Sequence, residues 1–158
     1  MAAADSVKFI ADVMLGRLAR RLRLLGFDVL YDDTLDDNAV LDRALRQDRV
    51  ILTRDRALAK RPLASNHILI ESDHVQEQAS QVLASLRLEP RPLVRCSLCN
   101  APLASIDKNQ VRDLVPPFVY ARHREFQRCS GCGKVYWKGS HVRRMKNDEG
   151  SAKKARHR

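Results

Sequence analysis

Two sets of side chains in this chain could do chemistry: aspartates that follow short apolar runs, and four cysteines in two close pairs. Phe9-Ile10-Ala11 ends on Asp12 and Val29-Leu30-Tyr31 on Asp32 and Asp33; Val50-Ile51-Leu52 leads to Asp55, and Ile68-Leu69-Ile70 to Glu71 and Asp73. Ligands of open α/β sheets bind outside the carboxyl ends of the strands, where these acids would gather. Carboxylates crowded at such a place repel one another and suit hard cations, which take oxygen ligands. Each aspartate also has a plainer role. Asp12, Asp37, Asp55 and Asp73 stand where helix N-caps belong, and Asp73-x-x-Gln76 has the form of a capping box. Capping explains each one singly. Their accumulation, with no cysteine or serine nucleophile and no Gly-rich phosphate loop in evidence, points to metal-assisted hydrolysis of a phosphodiester.

Cys96-x2-Cys99 and Cys129-x2-Cys132 are separated by 29 residues. Two such pairs are what a tetrahedral structural zinc site requires, because each turn brings two thiolates to one metal. Gly131 and Gly133 fit a tight turn that aims backbone amides at the sulfurs. The long interval has room for extra strands or a helix. Lys134, Trp137, Lys138, His141, Arg143 and Arg144 follow, aromatics interleaved with cations, which suits base stacking and phosphate contact. A small module also needs a plug for its core, and Tyr136 or Trp137 can serve as one.

The elements that must position these groups follow from periodicity. The four apolar runs predict four parallel strands, and the segments between them predict helices. A helix over 13–25 places Met14, Leu15, Leu18, Ala19, Leu22 and Leu25 on a buried stripe, with Arg17, Arg20, Arg21 and Arg23 largely off it. Gly16 inside it implies close backbone approach or simple tolerance, and Gly26 ends it as a C-cap. Asp36 and Asp37 open a second helix to about Gln47, residues 56–60 form a short helical piece before a turn at Pro62, and a further helix runs over 75–86. The result is an α/β, three-layer domain with helices on both faces of a parallel sheet. Glu89-Pro90-Arg91-Pro92 is a stiff boundary that divides a domain at 7–89 from a cysteine module at 90–145, with a basic tail at 146–158 expected to be disordered.

Charge divides the chain in the same place. Residues 1–89 carry 13 Lys/Arg against 14 Asp/Glu, and residues 90–158 carry 16 against 5, within an overall net charge of +10. A polyanion bound mainly by the second half is the implied partner. The longest apolar runs fall far short of the roughly 20 residues that span a bilayer, and the first residues lack a stretch of signal-peptide length. A cytoplasmic or nuclear protein is expected, which favours metal ligation over disulfides for the cysteines.

Four motifs in order then resemble a known family: residues 9–20 (Phe9-Ile10-Ala11-Asp12-Val13-Met14-Leu15-Gly16-Arg17-Leu18-Ala19-Arg20), Leu52-Thr53-Arg54-Asp55, Arg95-Cys96-Ser97-Leu98-Cys99-Asn100, and Tyr136-Trp137-Lys138-Gly139-Ser140-His141. They resemble the PIN-domain ribonucleases, and more narrowly the Mut-seven carboxy-terminal RNase group, in which a PIN domain precedes a zinc ribbon. The resemblance implies a PIN-like fold and endonucleolytic cleavage of RNA with Mg²⁺ or Mn²⁺. Its motif acids fall on Asp12, Asp37 and Asp55, with Asp36 competing for the second position and Asp73 as a further candidate. Arg17 and Arg54 are candidates to steady the phosphate. RNA is the implied partner, a structured RNA or the ribosome among the candidates, and a homodimer is a further candidate because many PIN domains pair. Two other readings compete. One is a non-catalytic RNA-binding or ribosome-associated adaptor. The other is a small-molecule phosphatase or phosphorelay domain, which would want a lysine after a later strand, where Lys8 and Lys60 are ill placed.

Overall fold

The computed structural model describes residues 7–139. Strands β1 (Lys8–Ala11), β2 (Asp28–Leu30), β3 (Arg49–Thr53) and β4 (His67–Leu69) form one sheet in the order β2-β1-β3-β4. Every pairing in it is parallel, with Phe9 opposite Val29 and Val50, and Leu52 opposite Ile68. Alternation along the strands sends side chains to two separate cores. Phe9, Ala11, Val29 and Leu52 pack with helices α1 (Gly16–Leu24) and α4 (Val75–Leu86) on one face. Ile10 and Ile51 pack with α2 (Asp37–Gln47) and α3 (Arg56–Ala59) on the other. This is the three-layer α/β arrangement that the sequence predicts. Phe9 and Phe27 meet edge to face at 6.2 Å, and each fully buried side chain of this size contributes about 1.5–3 kcal/mol. Among the described residues no helix is long and apolar enough to cross a membrane.

The first helix departs from its expectation in three ways. It starts as a 3-10 turn, Val13–Leu15, and becomes α-helical only at Gly16. Met14, expected in the buried stripe, is 74% exposed because that tighter turn rotates it away from the sheet. Arg21 and Arg23, expected off the stripe, are buried. A Cβ at Gly16 would lie 2.8 Å from the Tyr31 hydroxyl, so the close-approach reading of this glycine holds. Gly26 has φ +100°, and a Cβ there would lie 2.1 Å from the Arg91 carbonyl oxygen.

Helix capping also differs from expectation at two acids. Asp36, not Asp37, is the N-cap of α2, accepting from the Ala39 amide, and Asp37 lies in the first turn. His74 occupies the N-cap position of α4 without a side-chain cap bond, and Asp73 instead pairs with Arg54, so the expected capping box does not form.

Past the Pro-rich boundary, β5 (Leu103–Ile106), β6 (Phe126–Cys129) and β7 (Val135–Trp137) form a three-stranded antiparallel sheet, with helix α5 (Pro117–Arg122) in the interval between the cysteine pairs. Val111, Val115, Val119 and Phe126 make its small core, against which Trp137 packs. The module sits on edge strand β2. Asn100 bonds Asp28 at the start of β2, where Lys8 also begins β1, so the contact lies at the end of the sheet opposite Asp12.

Candidate functional site: an aspartate pair and a four-cysteine centre

The strands β1 and β3 are neighbours, and each hands on directly to an aspartate region at its carboxyl end. Asp12 follows β1 and is 5% exposed; its amide donates to the Leu52 carbonyl, which fixes its backbone to β3. One of its carboxylate oxygens accepts from the Val13 amide at 2.7 Å. The other accepts from the Thr53 hydroxyl at 3.0 Å. Thr53, fully buried at the end of β3, accepts in turn from the Asp55 amide at 2.9 Å. One Asp55 oxygen caps α3 through the Ala57 and Leu58 amides. The single hydroxyl of Thr53 therefore ties the two aspartates together, a role that its place in a strand did not signal. Capping and site formation are not exclusive here. Each carboxylate keeps acceptor capacity beyond the bonds it makes, and carboxylate oxygens are the kind of ligand that hard cations take.

The other candidate acids are placed less closely. Asp37 is exposed at the start of α2, a turn braced where Arg61 donates to Asn38 at 2.6 Å. Asp36 is used as the cap of the same helix. Asp73 and Arg54 occupy each other. Arg17 is exposed on α1, two residues beyond the 3-10 segment that follows Asp12. Among the described residues, the aspartates do not close into a group of three ligand atoms around one point.

The cysteines do. Cys96, Cys99, Cys129 and Cys132 place their sulfurs within 4.8 Å of one another. The Cys96 and Cys132 sulfurs lie 3.6 Å apart and those of Cys99 and Cys129 3.3 Å apart. Tetrahedral zinc with bonds of ~2.3 Å needs sulfurs roughly 3.8 Å apart, so the donor set fits that metal. The Gly131 and Cys132 amides point at the Cys129 sulfur, as the glycine-containing turn predicts. Burial opposes ionisation of Cys96, but bonds from the Tyr136 hydroxyl and the Cys99 and Leu98 amides outweigh it and draw the thiol down to about 6. At Cys132 the Lys134 amide favours the thiolate, yet burial and the neighbouring sulfurs prevail and push it up to about 11. Burial, then the Cys96 sulfur, raises Tyr136 to about 12, so its hydroxyl stays a donor.

Of the module's candidate RNA contacts, Lys134 and Lys138 are exposed, with the Lys134 ammonium 5.2 Å from the Tyr136 ring. Trp137 is half-buried in the small core. His141, Arg143, Arg144 and the 146–158 tail lie outside the described residues. The two buried arginines of α1 were missed by periodicity, which counts every charge as surface.

A family model described as Mut7-C RNAse domain matches residues 7–148. No curated protein and no solved structure gives a match.

Proposed function

Because the chain belongs to the Mut7-C RNAse domain family, we propose that it is a metal-dependent endoribonuclease whose chemistry is carried by Asp12 and Asp55. The observation that supports this most is the buried Asp12 carboxylate joined through Thr53 to Asp55 at the ends of adjacent strands. Asp12 and Asp55 would hold Mg²⁺ or Mn²⁺, with Asp37, in the first turn of α2, orienting the cation or the attacking water. Such a cation, when bound, makes water a stronger nucleophile and neutralises charge developing on the phosphate oxygens. Thr53 orients the Asp12 carboxylate and anchors the Asp55 backbone, and the Ala57 and Leu58 amides orient the Asp55 carboxylate, before substrate arrives, so little reorganisation is needed at the moment of reaction. Arg17, exposed in the first turn of α1, draws in the phosphate backbone. Arg54 does so only if it leaves Asp73.

In the same reading, residues 7–89 form the nuclease unit and 90–145 a zinc ribbon, with zinc on Cys96, Cys99, Cys129 and Cys132. Lys134 and Lys138 contact the RNA backbone, as do His141, Arg143 and Arg144. The test is cleavage of a labelled RNA pool and its DNA counterpart, with Mn²⁺ or with a chelator. Mn²⁺-dependent internal cutting of RNA is the expected result. Tight RNA binding with no cutting under any divalent cation would move the protein to the adaptor reading.

A further inference from the structure

Arg23 is a charged side chain in the last turn of α1, yet it is only 5% exposed. Its Nε donates to the Val29 carbonyl at 2.9 Å, and its Nη1 donates to the Ser97 and Leu98 carbonyls, each at 3.2 Å. Those two carbonyls belong to the loop between Cys96 and Cys99. Burial, with a smaller contribution from Arg20, disfavours the charge of the guanidinium, and the Cys96 and Cys99 sulfurs and Asp28 favour it. A buried charge without a counter-charge is costly, and four thiolates around a divalent metal leave a net charge of −2. The thiolate centre is thus the natural counter-charge of Arg23.

The strand on the other side of this contact is at an edge of the sheet. Unpaired edge peptides are a liability because they invite pairing with other chains. At β2 both groups of the Val29 peptide are taken: Arg23 donates to its carbonyl, and its amide donates to the Asn100 side-chain oxygen at 3.1 Å. Asn100, directly after Cys99, also donates to Asp28 at 2.8 Å and has φ +69°. The first cysteine turn closes the sheet in place of a fifth strand.

We propose that Arg23 and Asn100 couple occupancy of the four-cysteine site to the integrity of edge strand β2, so that the thiolate-bound metal is part of what holds the aspartate-bearing sheet together. Both are positioning residues: neither touches the metal or the substrate. The inference rests on reading the cysteines as a zinc site but not on RNA cleavage.

The test uses the zinc-loaded full chain and the same chain stripped by a chelator, with elemental analysis to establish the metal. Amide hydrogen exchange is followed over 24–31, and zinc affinity is measured by chelator competition. Stripping the wild type should speed exchange in 24–31 as well as in the module. Arg23→Met should weaken zinc by on the order of 10–100-fold, the usual effect of losing a partner of the ligand loop. Asn100→Gly, which tolerates the positive φ, should speed exchange at Val29 even with zinc bound, and it serves if Arg23→Met does not fold. Bound zinc whose removal leaves exchange over 24–31 unchanged, or both variants binding zinc as wild type does, would overturn the coupling while leaving the zinc site standing. A chain that takes up no zinc overturns both.

Discussion

Thr53 serves two aspartates with one oxygen, donating to Asp12 and accepting from Asp55. Thr53→Val keeps the shape and removes the hydroxyl. It leaves a buried carboxylate oxygen short of a donor at a cost of about 1–3 kcal/mol. Turnover on RNA should fall by roughly tenfold to a hundredfold through loss of orientation, while RNA affinity stays at the wild-type level. Melting temperature, kcat and Kd measured on one preparation check all three. Asp12 and Asp55 were legible in the sequence because each follows an apolar run within a few residues, and position alone carries that signal. Thr53 was not, since a threonine in a strand is ordinarily only a β-branched residue that suits the pleat. Arg21 and Arg23 were misplaced for a related reason, because a long charged side chain can bury its stem, and Arg23 sets its guanidinium on carbonyls far away in sequence.

At the scale of elements, strands and helices were legible because parallel strands buried on both faces are continuous apolar runs. The helix over 75–86 needed no adjustment, whereas Val13–Leu15 wound as a 3-10 turn that no periodicity of 3.6 signals. The junction between elements makes two predictions. Gly26→Ala places a Cβ against the Arg91 carbonyl in a left-handed conformation, and should cost about 1 kcal/mol or more, lowering Tm by roughly 2–4 °C in a thermal melt. Burial would by itself raise the Asp28 carboxyl, but hydrogen bonds from Arg49 and Asn100 and the charges of Arg49 and Arg95 outweigh it and hold it below its ordinary value. A group lowered in this way stabilises the fold above its unfolded pKa of about 3.9, and that contribution is lost as pH falls through the lower folded value. The Tm gap between wild type and Asp28→Asn should therefore be widest above pH ~4 and close on further acidification. A gap that grows towards low pH would contradict the assignment.

At the scale of the whole molecule, the charge asymmetry between the halves was plain from composition, but the way they meet was not. That meeting depends on pairs about seventy residues apart, such as Val29 with Asn100 and Arg23 with Ser97, and local pattern carries no information about them. The module's basic surface should give RNA affinity that falls with salt. Replacing Lys134 and Lys138 by Ala should reduce the slope of log K against log salt by about 0.7 for each phosphate no longer neutralised, measured by filter binding across a salt series. An unchanged slope would mean that other cations of the chain hold the RNA.

In the proposed reaction Asp12 carries the chemistry in addition to accepting the Val13 amide and the Thr53 hydroxyl, and it does not carry the binding. Comparing wild type with Asp12→Asn for RNA cleavage in Mn²⁺, with RNA affinity and melting temperature taken on the same samples, separates these roles in one experiment. Cutting should vanish in the variant while affinity and folding persist. Cleavage by Asp12→Asn at the wild-type rate would remove Asp12 from the reaction.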